Sequence, residues 1–405
     1  MALDLSLSPE LLKVQRMARE MAKAFAKRAP EHDRNRTAPG ENYEMLRDAG
    51  FYGLVIPRQY GGMGLGFMAW VVAAEELGQG CASTALSFNM HINATGAIME
   101  HPEIPTAMKQ WVADQVLQEG KLLCTAVSEP ATSSHLAPTY TPALMARRVP
   151  GGYQLFGRKA FASMWEASDL ALLYAHLEDD PNPHSSIGFA APTVGEGTTV
   201  EDVWHTVGMR ATRSQTVFFD GAFVPEEQVL HQTEQFLDSF IMQGAAWSFG
   251  AYTAVYLGLG AGIVNFARQM LSTRVAKGFA QPMGYHPDIR RRMTEMACDM
   301  EQARLALWKA AWQHETEGAS PGTFLAFLKA KYAVGEAVSR TARNAGVACG
   351  MHSLFQSEPL ERMLRDALTA QIMPPNSDAC LSLIGLLELG LDPGDALPPL
   401  KPLVE

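Results

Sequence analysis

The feature that most limits what this chain can become is a double switch in the spacing of its apolar residues. Up to about residue 120, and again beyond about residue 231, they recur every three or four positions; in between, short runs alternate or cluster between Pro, Gly and Asn/Asp groups. The first spacing buries one face of a helix and the second one face of a strand. The chain should therefore divide into an N-terminal helical domain (1–120), a middle β domain (121–230), a C-terminal helical bundle (231–390) and a proline-rich tail (391–405). Ser8 and Pro9 supply a hydroxyl cap and a proline at the first helical position, and Val14, Met17, Ala18, Met21 and Phe25 then share a face. The glycine-rich "PRQYGGMGLG" interrupts the helices as a tight loop. "VPGGYQLFG", "LALLYAHL", "SIGFAAP" and "QTVFFDGAFVP" read as hairpin-connected strands. Farther on, Ile289, Met293, Met296, Met300, Ala303 and Leu307 mark one buried helix face, and helices are expected over 236–276, 286–317, 321–350 and 359–373.

At 405 residues, with 47% apolar and 19% charged residues, the chain is an ordinary globular protein large enough for two or three domains. A net charge of −10 argues against nucleic-acid binding, which needs a basic face; the basic "IRRRM" sits in a helical pattern and reads as a solvated or subunit-facing surface, with a phosphate site as the alternative. Five cysteines without a CxxC pair suit a reducing compartment and argue against disulfide or zinc frameworks, so no metal site is expected. No signal-type apolar core and no run of bilayer length is evident, which implies a cytoplasmic protein without a membrane partner. No GxGxxG, P-loop, HExxH or Gly-x-Ser-x-Gly occurs in a suitable context.

Five segments, in order, carry a resemblance: "LRDAGFYGLVIPRQYGGMGLG" (46–66), "AVSEPATSSH" (126–135), "GRKAFASMWEASDLALLYA" (157–175), "GMRATRSQTVFFDGAFVP" (208–225) and "EPLERMLRDAL" (358–368). Over nearly its whole length the chain resembles the acyl-CoA dehydrogenase family. That resemblance implies an α+β fold with an N-terminal helical domain, a middle β-barrel-like domain and a C-terminal four-helix bundle. It also implies FAD between the β domain and the bundle, and α,β-dehydrogenation of an acyl thioester, with acyl-CoA or an acyl-carrier protein as substrate and a flavoprotein as electron acceptor. The assembly implied is a homodimer or homotetramer whose second subunit completes the adenine end. Residue by residue, Val127, Ser128 and Ser134 would meet the flavin and the ligand phosphates, Ser134 also serving the substrate. Phe161 and Ser163 would stand beside the isoalloxazine ring, Gly350 in the segment facing the partner's flavin, and Asn376 at the family's usual threonine.

The pattern departs from the family at the general base. Aligned on Arg365-Asp366-Ala367, the usual glutamate position holds Pro374, followed by Pro375 and Asn376. The alternative location on the first bundle helix offers Phe249 or Gly250 and no acid. The nearest carboxylate is Asp378, which reads either as a base swung inward by the Pro-Pro turn or as the cap of the next helix. In "ALSFNMHINATGA", Asn89 and His91 face either the pocket or solvent, giving Asn89 as a substrate contact and His91 as a second catalytic candidate, against the plainer reading of a lone histidine as a satisfied core residue. The adenine end is altered to Ala276-Lys277-Gly278-Phe279-Ala280, with Arg274 and Lys277 as substitute charges, and to Val347-Ala348-Cys349-Gly350-Met351. Arg210 and Arg213 are candidates for carrier-phosphate or interdomain contacts. Three readings follow: a dehydrogenase with a non-standard base, a flavin monooxygenase or non-oxidative lyase, or a non-catalytic subunit beside a paralogous one.

Overall fold

A computed structural model describes residues 3–129, 142–182, 184–234 and 243–391. Five helices come first: α1 (Pro9–Asn35), α2 (Gly40–Asp48), α3 (Gly66–Gly80), α4 (Ala82–Glu100) and α5 (Thr106–Leu117). Ser8 Oγ accepts from Leu11 N at 3.2 Å, closing the first turn of α1 as its sequence foretells, and Val14, Ala18, Met21 and Phe25 are buried while Met17 is half-buried.

Among the described residues eight strands follow: β1 (Leu123–Ala126), β2 (Met145–Val149), β3 (Gly152–Ala162), β4 (Leu170–Leu177), β5 (Ser186–Pro192), β6 (Thr198–Glu201), β7 (Gln215–Pro225) and β8 (Val229–Thr233). They lie in the order β6-β7-β3-β2-β4-β5-β8. β1 runs parallel to β4, with Leu123 opposite Leu170, while the far end of β4 pairs with β2. Because β1 continues α5 through a short turn, it links the helical domain directly to the middle of the sheet.

The last section holds a one-turn helix α6 (Gln243–Ala245), a π-helical turn (Ala246–Gly250), and then α7 (Ala251–Thr273), α8 (Pro287–Glu317), α9 (Pro321–Cys349), α10 (Pro359–Ala367) and α11 (Ser377–Glu388). On α8, Met296, Met300, Ala303 and Leu307 are buried, and Ile289 and Met293 half-buried. Two expectations are corrected here. Residues 246–273 are long and apolar enough to cross a bilayer, yet the helix is mostly buried among its neighbours and serves as the core of the bundle. The helix expected over 359–373 stops at Ala367, before the prolines. Thr369 Oγ1 donates to Asp366 O at 2.7 Å and the buried Lys331 Nζ to Ala370 O at 2.9 Å, so side chains take over the carbonyls that a longer helix would have used.

α3 and α7 approach so closely that only glycine fits at their crossing. A Cβ on Gly258 would lie 2.5 Å from Glu75 O and 2.9 Å from Ala74 O, and one on Gly78 would lie 2.5 Å from Val255 O. These obstacles are backbone atoms of rigid helices and cannot step aside. Overpacking of that kind costs about 1–3 kcal/mol, against up to about 1 kcal/mol gained from replacing a helical glycine by alanine. Gly258→Ala is therefore expected to lower the unfolding midpoint despite its better helix propensity, and Gly258→Val more so, as read by thermal denaturation.

Candidate active site

A cavity of about 500 Å3 opens where the β domain meets the bundle. Its β-domain wall carries Val127, Ser128, Phe161, Ser163, Thr212 and Ser214. Opposite stand Leu86, Met90 and Asn93 of α4; Ser248, Phe249, Tyr252 and Tyr256 around the start of α7; Phe324 and Leu328 of α9; and the turn Thr369, Ile372, Met373, Pro374 and Pro375.

Each wall has a visible cause. Past β1 the chain stays against β3 because Ala160 N donates to Ser128 O at 2.8 Å. The next residue, Glu129, is buried and accepts, among the described residues, from Ala143 N (2.6 Å), Leu144 N (3.0 Å) and Lys159 Nζ (2.5 Å). Within this wall Thr212, Ser214 and Ser163 form a hydroxyl chain with both steps at 2.7 Å. Four of the five described non-glycine residues with positive φ cluster here: Phe161 (54°), Met164 (64°), Met209 (53°) and Arg213 (48°). Such backbone costs of order 1–3 kcal/mol per residue and gathers at functional sites. At Phe161 it leaves a ring 62% exposed, edge-on to Trp204 at 6.1 Å.

The π-helical turn sorts side chains in opposite directions. Trp247 points away from the cavity, its Nε1 donating to Glu100 Oε2 at 2.7 Å and its ring edge-on to Phe67 at 5.1 Å. Gly96 makes room for it, since a Cβ there would come within 2.3 Å of the indole. Ser248 and Phe249 are left facing the cavity. The floor is clamped by Asp366, which accepts from Met209 N at 2.6 Å, while a Cβ on Gly208 would meet Arg365 O at 2.3 Å. Burial raises the Asp366 carboxyl to about 6, partly offset by Arg362. The Arg-Asp-Ala segment thus docks α10 against the loop that carries Met209 and Thr212: Arg365 pairs with Asp33 (2.6 Å) and Glu361 (2.5 Å) and donates to Val207 O (2.8 Å).

No Asp, Glu, His, Lys or Arg is among the described residues lining the cavity. The expected catalytic pair lies elsewhere. His91 is fully buried on α4; Leu123 N donates to its Nδ1 at 3.1 Å, so Nε2 carries the proton and donates to Tyr52 O at 2.9 Å. With both nitrogens used and burial pushing it down to about 4, His91 is a neutral brace between α4 and β1. Asp378 is exposed in the first turn of α11 and outside the cavity, and the cap it was weighed for is Asn376, whose Oδ1 accepts from Ala379 N at 2.8 Å. That role places Asn376 beside the Pro-Pro turn but outside the cavity lining. Asn89 is buried behind the wall, accepting from Trp70 Nε1 at 2.8 Å. Gly350, with φ 66°, ends α9 at the surface. Ser134 lies outside the described residues. Arg213 is spent on Glu166 (2.9 and 2.8 Å) and Asp202 (3.2 Å), which removes it as a phosphate ligand.

Sequence reasoning missed Asn93, Tyr252 and Ser248. Leu86, Met90 and Asn93 are spaced four and three apart, one face of α4, and that spacing could have selected Asn93 over Asn89. Tyr252 sits in "GAYTAVYLGLG", which reads as core. Away from this cavity, His101, Glu103 and His231 bring ligand-type atoms within 4.8 Å of one another.

Comparison with known proteins agrees with this architecture. The acyl-CoA dehydrogenase N-terminal, middle and C-terminal domain models match residues 8–103, 124–222 and 240–385. L-prolyl-[peptidyl-carrier protein] dehydrogenase of Pseudomonas fluorescens is 28% identical over 89% of this chain and 93% of its own. 3-Sulfinopropanoyl-CoA desulfinase of Paraburkholderia xenovorans is 28% identical over 87% and 89%. Among solved structures, a glutaryl-coenzyme A dehydrogenase–glutaryl-CoA complex superposes with a TM-score of 0.86 at 24% identity, covering 97% of this chain and 98% of that one, and an FAD complex of PigA with 0.83 at 20%, covering 96% and 100%. With all three domain models matched in order on a fold of that likeness, this chain belongs to the acyl-CoA dehydrogenase family.

Proposed function

We propose that the protein is an FAD-dependent oxidoreductase that takes the acyl group of a thioester, carried by CoA or by a carrier protein, into the cavity between its β domain and its bundle. The observation that carries this reading is the β-domain wall: an exposed Phe161 ring with Trp204 beside it, next to the hydroxyls of Ser128 and Ser163, all on one cavity. An aromatic platform with short donors suits a flat heteroaromatic ring, so the residues present fit a flavin. Val127, Ser128, Phe161 and Ser163 would hold it, with Ser134, Gly350 and Asn376 assigned as further contacts on the family resemblance. A bound flavin would supply the two-electron acceptor. The chain's own residues orient the acyl group between α4 and α7, exclude water with Phe249, Phe324 and Leu328, and close the far side with the Pro-Pro turn.

The uncharged lining favours a second reading on the same site, flavin chemistry that removes no α-proton, because no described side chain of the cavity could take one. The desulfinase among the relatives is named for a reaction on a CoA thioester other than dehydrogenation. Asp378 as base would require α11 to turn inward, and His91 would require release of both ring nitrogens. Exposed Val347, Met351, Leu354 and Phe355 around Gly350 support a homodimer or homotetramer, and five free thiols suit a cytoplasmic protein. The visible spectrum of the purified protein, followed by anaerobic addition of acyl-CoAs, tests the reading. A flavin band that bleaches supports dehydrogenation to a flavoprotein acceptor. A band that stays oxidised moves the assignment to the second reading, and a protein that never holds flavin defeats both and leaves a non-catalytic subunit of a mixed assembly.

A further inference from the structure

Two buried side-chain polar atoms without a hydrogen-bond partner among the described residues belong to residues lining this cavity: Asn93 Oδ1 on α4 and Tyr252 OH on α7. The other polar groups of the lining are largely committed to the protein. Tyr256 OH meets Thr369 Oγ1 at 3.0 Å, Thr369 donates onward to Asp366 O, and the Ser163–Ser214–Thr212 chain is closed on itself and Met209 O. A buried polar atom left unpaired destabilises the fold unless a ligand completes it. Burial also drives the Tyr252 phenol well above its ordinary range, so it stays protonated and is available as a donor, while Asn93 Oδ1 is an acceptor only.

Building on the thioester reading, we infer that Asn93 and Tyr252 are a recognition pair for the acyl group, and that the acyl group carries a neutral N–H or O–H substituent. The substituent donates to Asn93 Oδ1, and an acceptor on the acyl unit, its carbonyl or the same heteroatom, receives the Tyr252 hydroxyl. Neutrality follows from the lining: with no charged side chain among its described residues to compensate it, an ammonium or carboxylate would pay its full desolvation in this cavity. A plain hydrocarbon chain would offer neither atom a partner. Sites built to hydrogen-bond a substrate group reject the analogue that lacks it far more strongly than apolar pockets reject an added methyl.

The test uses two pantetheine thioesters of nearly equal shape, lactoyl and isobutyryl, which exchange a hydroxyl for a methyl and serve for CoA and carrier-protein sources alike. Binding to the purified full chain is read by titration calorimetry. Lactoyl-pantetheine is expected to bind at least tenfold tighter. In Tyr252→Phe and in Asn93→Leu the preference should fall toward one, while the unfolding midpoint of the ligand-free protein rises, because each change removes an unpaired buried group. Isobutyryl-pantetheine binding as tightly as its partner, a preference that survives both variants, or binding of neither probe would each overturn the inference. Because calorimetry needs no turnover, those outcomes are separable from the flavin spectrum: a flavoprotein that ignores the hydroxyl defeats the recognition pair and leaves the redox reading standing.

Discussion

Glu129→Gln is expected to lower stability by about 3–5 kcal/mol at neutral pH, the range for breaking a buried ion pair from one side. Lys159 is fully buried and the Glu129 side chain is 2% exposed, so neither charge can turn to water. The two amides use different carboxylate oxygens, Ala143 N on Oε2 and Leu144 N on Oε1, so glutamine keeps an acceptor for one of them and turns an NH2 toward the other, a lost hydrogen bond that adds to the loss of the charge opposite Lys159. Burial already holds the Lys159 ammonium below the usual lysine range, with Glu129 pulling the other way; without Glu129 the depression deepens. A lysine whose folded pKa lies below its unfolded one binds fewer protons when folded, so its contribution to stability rises with pH between the two values. The Glu129→Gln penalty should therefore shrink as pH climbs toward about 10.4, the unfolded lysine value. Lys159→Met, which removes the cation and leaves Glu129 the amides of Ala143 and Leu144, should cost less at neutral pH. Because Glu129 follows Ser128, the same variant should lose flavin on dilution. Denaturant midpoints across pH check the argument, and a penalty that does not vary with pH would refute the charge assignment.

How much of this could be read in the sequence depends on which force decides each feature. The three-part architecture was legible because periodicity reports burial directly, and the starts of α1, α8 and α9 were legible because proline and a capping side chain act locally. The end of α10 was not, because Lys331 and Tyr256 hold the turn beyond it from distant parts of the chain, Lys331 through Ala370 O and Tyr256 through Thr369. At the site, Phe161, Ser163, Val127 and Ser128 were singled out through a resemblance to motifs, and the strand alternation of Phe161 and Ser163 alone would have read as an ordinary half-buried pair. His91 misled because a histidine on an apolar helix looks reactive, whereas its two nitrogens are committed to backbone groups at residues 52 and 123. Asp378 misled because nearness in sequence to a lost base says nothing of direction: the turn at Asn376 starts α11 with Asp378 on its solvent side. Tyr252 was invisible because an unpaired hydroxyl is a property of the packed fold and has no pattern along the chain.

Pro374→Glu is expected to raise the anaerobic rate of flavin bleaching by an acyl-CoA by about 10²–10⁴-fold, the usual contribution of a positioned general base. Pro374 and Pro375 already form part of the cavity wall with Met373 and Ile372, so a side chain at 374 starts beside the space where an acyl group would lie. No other carboxylate lines that space among the described residues, and nothing there would compete for the proton. An acid entering an uncharged cavity has its pKa raised, and only its ionised form can accept a proton, so the gain should grow with pH through the range of a perturbed carboxyl. Pro374→Gln, similar in size and without the charge, separates this from mere loosening of the turn and should give no such gain. A fast, pH-dependent bleaching in the glutamate variant alone would mean that the cavity binds and aligns a thioester for dehydrogenation and lacks only the base. Bound acyl-CoA with flavin still oxidised in that variant would mean that the α-carbon is not presented to the turn at all, and that the two prolines wall a site whose natural chemistry leaves the α-proton in place.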